Sequence, residues 1–264
     1  MGYYHRNANL IGTGVINDGQ GVYDLPYEIL IPSENPITEG LVLHLDAGNP
    51  LSYSGSGTAW NDMALSNNAT ISGISFSSDD GGYFDYDGVN SDECKVPDSD
   101  DFNIGDNEWT LDCWVYMDVL PGNNKTYELI AQVGSGGYRS VALSVGKLSS
   151  QGSFKLGILL SYGNSYINWN DSGTLSLPEE EWIYLAGGQR SGGKFINLNG
   201  VDLYTNNSTG TLSNSAFDVT IGHSGYSNRV LEGRLSIARF YNGNSLSEAE
   251  CLYNYNEQKG RFGL

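Results

Sequence analysis

From Leu41 onward the chain repeats one pattern, in which short runs of alternating apolar and polar residues give way to breaks rich in Gly, Asn, Asp and Ser. The run LVLHLDA sets Leu41, Leu43 and Leu45 on one side, the period-two spacing of a half-buried strand. Comparable runs follow at Tyr83–Tyr86, Asp92–Val96, Trp109–Val119, Tyr127–Val133, Arg139–Val145, Phe154–Leu160, Trp182–Gly187, Lys194–Leu198, Val201–Tyr204, Asp218–Ile221 and Arg234–Tyr241. No helical pattern intervenes, so the spacing predicts an all-β fold, an antiparallel β-sandwich rather than parallel strands with crossover helices.

Three elements are explicit. Asn199-Gly200 supplies the positive φ of a type I′ turn and predicts a hairpin between Lys194–Leu198 and Val201–Tyr204. Along 109–117, Trp109, Leu111, Cys113, Val115 and Met117 share one face, and Thr110, Asp112, Trp114 and Tyr116 the other. At the end of the chain, Ser245-Leu246-Ser247-Glu248 has the form of a capping box. Leu246, Ala249, Leu252 and Tyr253 share a helical face, and Lys259-Gly260 supplies a basic last turn and a C′ glycine. A short C-terminal helix against the sandwich is expected.

Residues 1–39 differ, with little alternation, Gly at 12, 14, 19 and 21, and Pro at 26, 32 and 36. They are expected to form an N-terminal arm ahead of a sandwich domain over 40–264. Its spaced apolar residues Tyr23, Leu25, Tyr27, Leu30 and Ile31 have two readings: ordering on a partner by adding a strand, or folding back as an extra edge strand.

Composition narrows the function. With 13 basic and 31 acidic residues the formal charge is −18, which argues against a phosphate-backbone partner and hence against nucleic acid. The acidity also means that any homo-oligomer must bury apolar or hydrogen-bonded patches. No apolar stretch is long enough for a membrane span, and the start MGYYHRNANLIGTG lacks the apolar core of an export signal. Cys94, Cys113 and Cys251 allow at most one disulfide and lack zinc-site spacing. The Asn-x-Ser/Thr triplets are read as turn composition.

The ordered blocks resemble a family. GLVLHLDAGNPLSYSGSGTAWNDMALSNNATISG, with its Leu-Asp-Ala strand end and Trp-x-Asp turn, is similar to the entry segment of laminin-G-like, concanavalin A-like domains. YFDYDGVNSDECKVPDS, EWTLDCWVYM, EEEWIYLAGG, KFINLNGVDLY, VTIGHS and LEGRLSIARFYNGNSLSEAECLYNYNEQKGRFGL follow in the family's order. The ending, Tyr255 to Leu264, resembles the C-terminus of such domains in structural proteins of tailed bacteriophages, including cyanophages. The resemblance implies a concanavalin A-like jelly roll in a virion protein assembled in the host cytoplasm, as capsid decoration, head fibre or tail fibre, with other virion proteins as partners. Ala64-Leu65-Ser66-Asn67-Asn68 departs from the family's Ser-Gly-Asn-Gly.

Catalysis is not expected, and no catalytic residue is assigned. Related sandwiches that hydrolyse glycosides carry Glu-x-Asp-x-x-Glu on one strand, which is absent here; Glu108 and Asp112 lack a third acid. None of His5, His44 and His223 stands in a nucleophile context. Calcium, which the family sometimes binds at a sandwich rim, is the only cofactor considered. Aspartates crowd the segment 78–106, with Asp85, Asp87 and Asp92 as ligands, although a loop aspartate also serves as a turn cap.

Glycan binding is implied by the fold and by rings in loops. Trp60, Trp114 and Trp182 fall at block or strand positions and are expected to pack inside. The segment Tyr162–Asp171 remains, with Tyr162, Tyr166, Asn168, Trp169, Asn170 and Asp171 as the saccharide platform, or else as a strand packed on a neighbour. Cell-surface polysaccharide is the expected ligand. The alternatives are a purely architectural virion subunit and a polysaccharide hydrolase.

Overall fold

The computed structural model describes residues 35–264 apart from 90–91, 134–138, 151–152, 163–164, 170–175, 208, 213–215 and 225–228. The chain divides into two compact units, Met1–Asn35 and Pro36–Leu264. All of the first except Asn35 lies outside the described residues, and with it Tyr23, Leu25, Tyr27, Leu30 and Ile31.

The second unit is a sandwich of two antiparallel sheets, in keeping with a concanavalin A-like jelly roll. Numbering strands in chain order, sheet A runs β14 (Val201–Thr205), β13 (Gly193–Leu198), β12 (Trp182–Arg190), β7 (Trp109–Met117), β16 (Glu232–Asn242), β5 (Tyr83–Asp87), β4 (Ser75–Ser77), with β1 (Leu41–Asp46) also paired to β16. Sheet B runs β11 (Ser165–Trp169), β10 (Ser153–Tyr162), β9 (Arg139–Ser150), β8 (Thr126–Val133), β15 (Val219–Ile221), β6 (Glu93–Val96), β3 (Ala69–Ser72), β2 (Ala59–Trp60). The expected strands are all present. Strands β2, β3 and β4 have no counterpart in the alternation, because runs this short carry no readable period.

The core lies between the sheets. Trp109, Leu111, Cys113, Val115 and Met117 point into it from β7, as the alternation predicts, against Val141, Leu143 and Val145 of β9 and Ile158 and Leu160 of β10. On β16 the inward set changes parity, from Leu235 to Ala238 and Phe240, because a register shift between Leu235 and Ile237 inserts Ser236 as an unmatched residue. All three cysteines are buried and free. Trp60 is in this core; Trp114 and Trp182 belong to a second cluster on the outer face of sheet A.

That second cluster is where helix α1 (Glu248–Gln258) docks. Trp114 stacks on Phe262 with centroids 4.4 Å apart and on Tyr255 at 5.6 Å. The helix is capped two residues later than the sequence reading placed it. Ser247, not Ser245, is the N-cap, and Glu250, not Glu248, closes the box. Ser245 is instead held by its hydroxyl against Thr110 at 3.0 Å. Gly260 is not the C′ residue either, since the chain tightens into a 3-10 turn over Lys259–Phe262 and the left-handed residue is Gly263, φ 75°.

The Trp-x-Asp turn has a physical basis. The Asp62 carboxylate accepts backbone N–H groups from His44 (2.7 Å), Ala64 (2.9 Å), Leu65 (2.9 Å) and Asn67 (3.1 Å), so one side chain organises the departing loop and ties it to β1.

Candidate functional site

Sheet A presents its outer face in two parts. One is covered by α1; the other, at the β5 end, is open. Because Phe84 and Tyr86 turn inward, Tyr83, Asp85 and Asp87 stand outward on β5. The register places Asp85 opposite both Ser75 of β4 and Arg234 of β16, and Asp87 opposite Glu232. Asp118, just past β7, donates its N–H to the Glu232 carbonyl at 3.2 Å. Of these, Ser75, Asp85, Asp87, Asp118 and Glu232 line, with Gly73, Tyr86 and Asp92, a cleft of about 360 Å³.

Five carboxylates, Asp85, Asp87, Asp92, Asp118 and Glu232, wall this cleft. Asp92 is buried, and its Oδ2 accepts the Asp87 N–H at 2.9 Å. Burial, reinforced by the neighbouring Asp87 and Asp85, pushes its pKa up to about 6. Asp85 is also raised, by burial and the Asp118 charge, with Arg234 opposing. Arg234 stands at the rim, its guanidinium 3.8 Å from Asp118 and 3.9 Å from Asp80, over the rings of Tyr116 (4.4 Å) and Tyr83 (5.0 Å). Such a wall offers acceptors to a hydroxyl-rich ligand and one carboxyl that holds its proton to mildly acidic pH.

The aspartates named as calcium ligands, Asp85, Asp87 and Asp92, are thus brought to one cleft. Their donor sets do not suit an ion. Asp87 Oδ1 caps Val89 at 3.1 Å and Asp92 Oδ2 is engaged by Asp87, and among the described residues no three His, Cys, Asp or Glu side chains are placed to hold a metal. Asp118 and Glu232 went unnamed in the sequence reading. Glu232 opens β16 and Asp118 follows β7, but only the β5–β16 and β7–β16 pairing brings them to Asp87, and no local spacing encodes that.

The saccharide platform expected over Tyr162–Asp171 falls in part on the strand β11. Ser165–Trp169 is a strand, with Trp169 opposite Ile158, Ile167 opposite Leu160, Tyr166 opposite Ser161 and Ser165 opposite Tyr162. Asn170 and Asp171 lie outside the described residues. Glu108 and Asp112 do not pair either. Asp112 is buried under α1, accepting from Arg239 Nε (2.6 Å) and the Tyr184 hydroxyl (2.8 Å).

Residues 87–251 match the family model described as the concanavalin A-like lectin/glucanases superfamily. No curated protein matches the sequence. Among solved structures, domain 4 of AbnA, a GH43 extracellular arabinanase from Geobacillus stearothermophilus, in complex with arabinotriose, is similar at 15% identity and a TM-score of 0.58, over 83% of this chain and 100% of that one. Trypanosoma rangeli sialidase is similar at 18% identity and 0.59, over 84% of this chain; the chain spans only 33% of the sialidase. The binding domain of Paraclostridial Mosquitocidal Protein 1 is similar at 14% and 0.58, over 82% of this chain and 52% of that one. At these identities the likeness is one of fold. It corrects the expectation that the chain is no enzyme, because the fold is one found within an arabinanase and within sialidases. No helix among the described residues is long and apolar enough to cross a membrane.

Proposed function

Because the chain belongs to the concanavalin A-like lectin/glucanase superfamily, we propose that it binds carbohydrate and that the acidic cleft beside β5 holds the saccharide. The observation that carries this reading is the cleft itself, a concavity of about 360 Å³ in which Ser75 and five carboxylates converge from three strands and two turns. Carboxylates accept from vicinal sugar hydroxyls, and the half-buried ring of Tyr116 at the rim offers an apolar flank. The proposed setting is the surface of a tailed-phage particle, supported by the resemblance of Tyr255–Leu264, with residues 1–39 holding the subunit to its neighbours.

Binding of neutral oligosaccharides to the full chain, followed by calorimetry, tests the site. Asp85→Asn with Glu232→Gln is expected to weaken binding about tenfold or more, since each exchanges a charged acceptor for a neutral one. Unchanged affinity removes the cleft from consideration, and no affinity for any saccharide overturns the reading. For the setting, antibody labelling of purified particles is expected to decorate them, and unlabelled particles refute it.

A second reading, hydrolysis of a glycosidic bond, is favoured by one observation. Buried Asp92 shares one cleft with four further carboxylates, and that burial raises its pKa, the arrangement in which one carboxyl serves as acid beside another as base. Release of reducing ends that Asp92→Asn abolishes supports it; binding without release retires it.

A further inference from the structure

Beneath α1, the outer face of sheet A holds more hydrogen-bond donors than acceptors. Arg239 donates through Nε to Asp112 Oδ1 at 2.6 Å and through Nη2 to Gln258 Oε1 at 3.1 Å. Trp114 Nε1 donates to the same Gln258 oxygen at 2.8 Å. Two donors on one atom identify it as the amide oxygen, which leaves Gln258 Nε2 as the amino end. Asp112 Oδ2 is taken by the Tyr184 hydroxyl at 2.8 Å and Asn254 Nδ2 at 3.3 Å.

Three buried atoms of this seam have no protein partner: Arg239 Nη1, Gln258 Nε2 and His44 Nε2, on side chains 0%, 1% and 7% exposed. His44 of β1 faces Arg239 of β16 in the strand register, on the same side of the sheet. Burial, with the Arg239 charge beside it, lowers the imidazole pKa to about 3, so the ring is neutral and one of its nitrogens is an acceptor. Leaving such groups unpaired in a buried site is unfavourable. Two donors and one acceptor in one seam call for a small group that accepts twice and donates once.

We infer that a single internal water binds in this seam, accepting from Arg239 Nη1 and Gln258 Nε2 and donating to His44 Nε2. Three hydrogen bonds is the usual complement of a buried water. A halide could accept from both donors, but it would add a buried charge where Asp112 already balances Arg239, and it would leave the His44 acceptor without a donor. The water joins the edge strand β1 and the central strand β16 to the last turn of α1, so it acts as a polar rivet between the sheet and the C-terminal helix.

Water-to-amide cross-relaxation on the full chain at pH 7 tests this. A long-lived water is expected to give cross-peaks to the Gln258 side-chain amide protons, and the His44 Nε2 resonance is expected in the range of an unprotonated ring nitrogen. His44→Leu should lose the cross-peak, whereas His44→Gln, which restores an acceptor, should keep it. Absence of the cross-peak in the wild-type chain overturns the inference, and so does a proton on His44 Nε2. A melting temperature that follows chloride at fixed ionic strength also overturns it, because the occupant would then be an anion. The wild-type measurements decide the matter even if a variant fails to fold.

Discussion

The Arg239 guanidinium and the Asp112 carboxylate meet at 2.6 Å with neither side chain reaching solvent, on adjacent strands of sheet A beneath the C-terminal helix. Tyr184 and Asn254 complete the Asp112 shell, and Asn254 Oδ1 accepts the Ile37 N–H at 2.9 Å. The pair thus ties the centre of the sheet to both ends of the domain. Removing one partner strands the other charge in a buried site. Asp112→Ala is expected to cost about 3–5 kcal/mol in denaturant unfolding, and replacing both residues by apolar ones should cost less than the single change. A single variant that loses under 1 kcal/mol would contradict this account.

His44 sets an acid limit. Its pKa falls from 6.5 in the unfolded chain to about 3 in the fold, so the unfolded state takes up a proton that the folded state refuses. Its contribution to stability is therefore complete above pH 6.5 and is lost as pH falls towards 3, with a slope of about 1.4 kcal/mol per pH unit. Because the raised Asp92 carboxyl acts oppositely over part of this range, the His44 dependence is read between pH 4 and 6 as the difference in unfolding free energy between the wild-type chain and His44→Phe, which should change by about 1.4 kcal/mol per pH unit.

Asp92 works in the opposite sense. Its folded pKa near 6 exceeds the reference 3.8, so the folded state holds its proton more tightly and stability declines as pH rises from about 4 through 6. Asp92→Asn keeps an acceptor for the Asp87 N–H. It is expected to flatten that decline and to stabilise the protein at neutral pH. Carboxyl titration by NMR should place Asp92 near 6; an ordinary carboxylate value would dismiss the burial argument.

Gly200 carries two constraints. Its φ is +86°, and a Cβ there would lie 2.7 Å from Leu252 Cδ1 and 2.8 Å from Leu252 Cα on α1. Gly200→Ala is expected to cost about 2 kcal/mol or more, above the roughly 1 kcal/mol of left-handed backbone alone. Trimming Leu252 to Ala should recover part of it. Full additivity of the two changes would argue against the contact.

Much of this domain was legible along the chain. The alternation in 109–117 set which side chains of β7 enter the core, since a strand can present only two faces, and Asn199-Gly200 marked its hairpin because few other pairs accept two left-handed residues. The terminal helix was foreseen too, while its cap was misplaced by two residues: both Ser245 and Ser247 satisfy the local pattern, and the contact of Ser245 with Thr110 decides between them.

Only the tertiary structure could assemble the cleft. Asp85, Asp87 and Asp92 are neighbours in sequence, but Glu232 and Asp118 reach them through pairing across β5, β16 and β7, and strand order in an antiparallel sheet is chosen by the packing of whole faces rather than by any local signal. Periodicity settled what each segment is; burial and long-range pairing settled which segments meet.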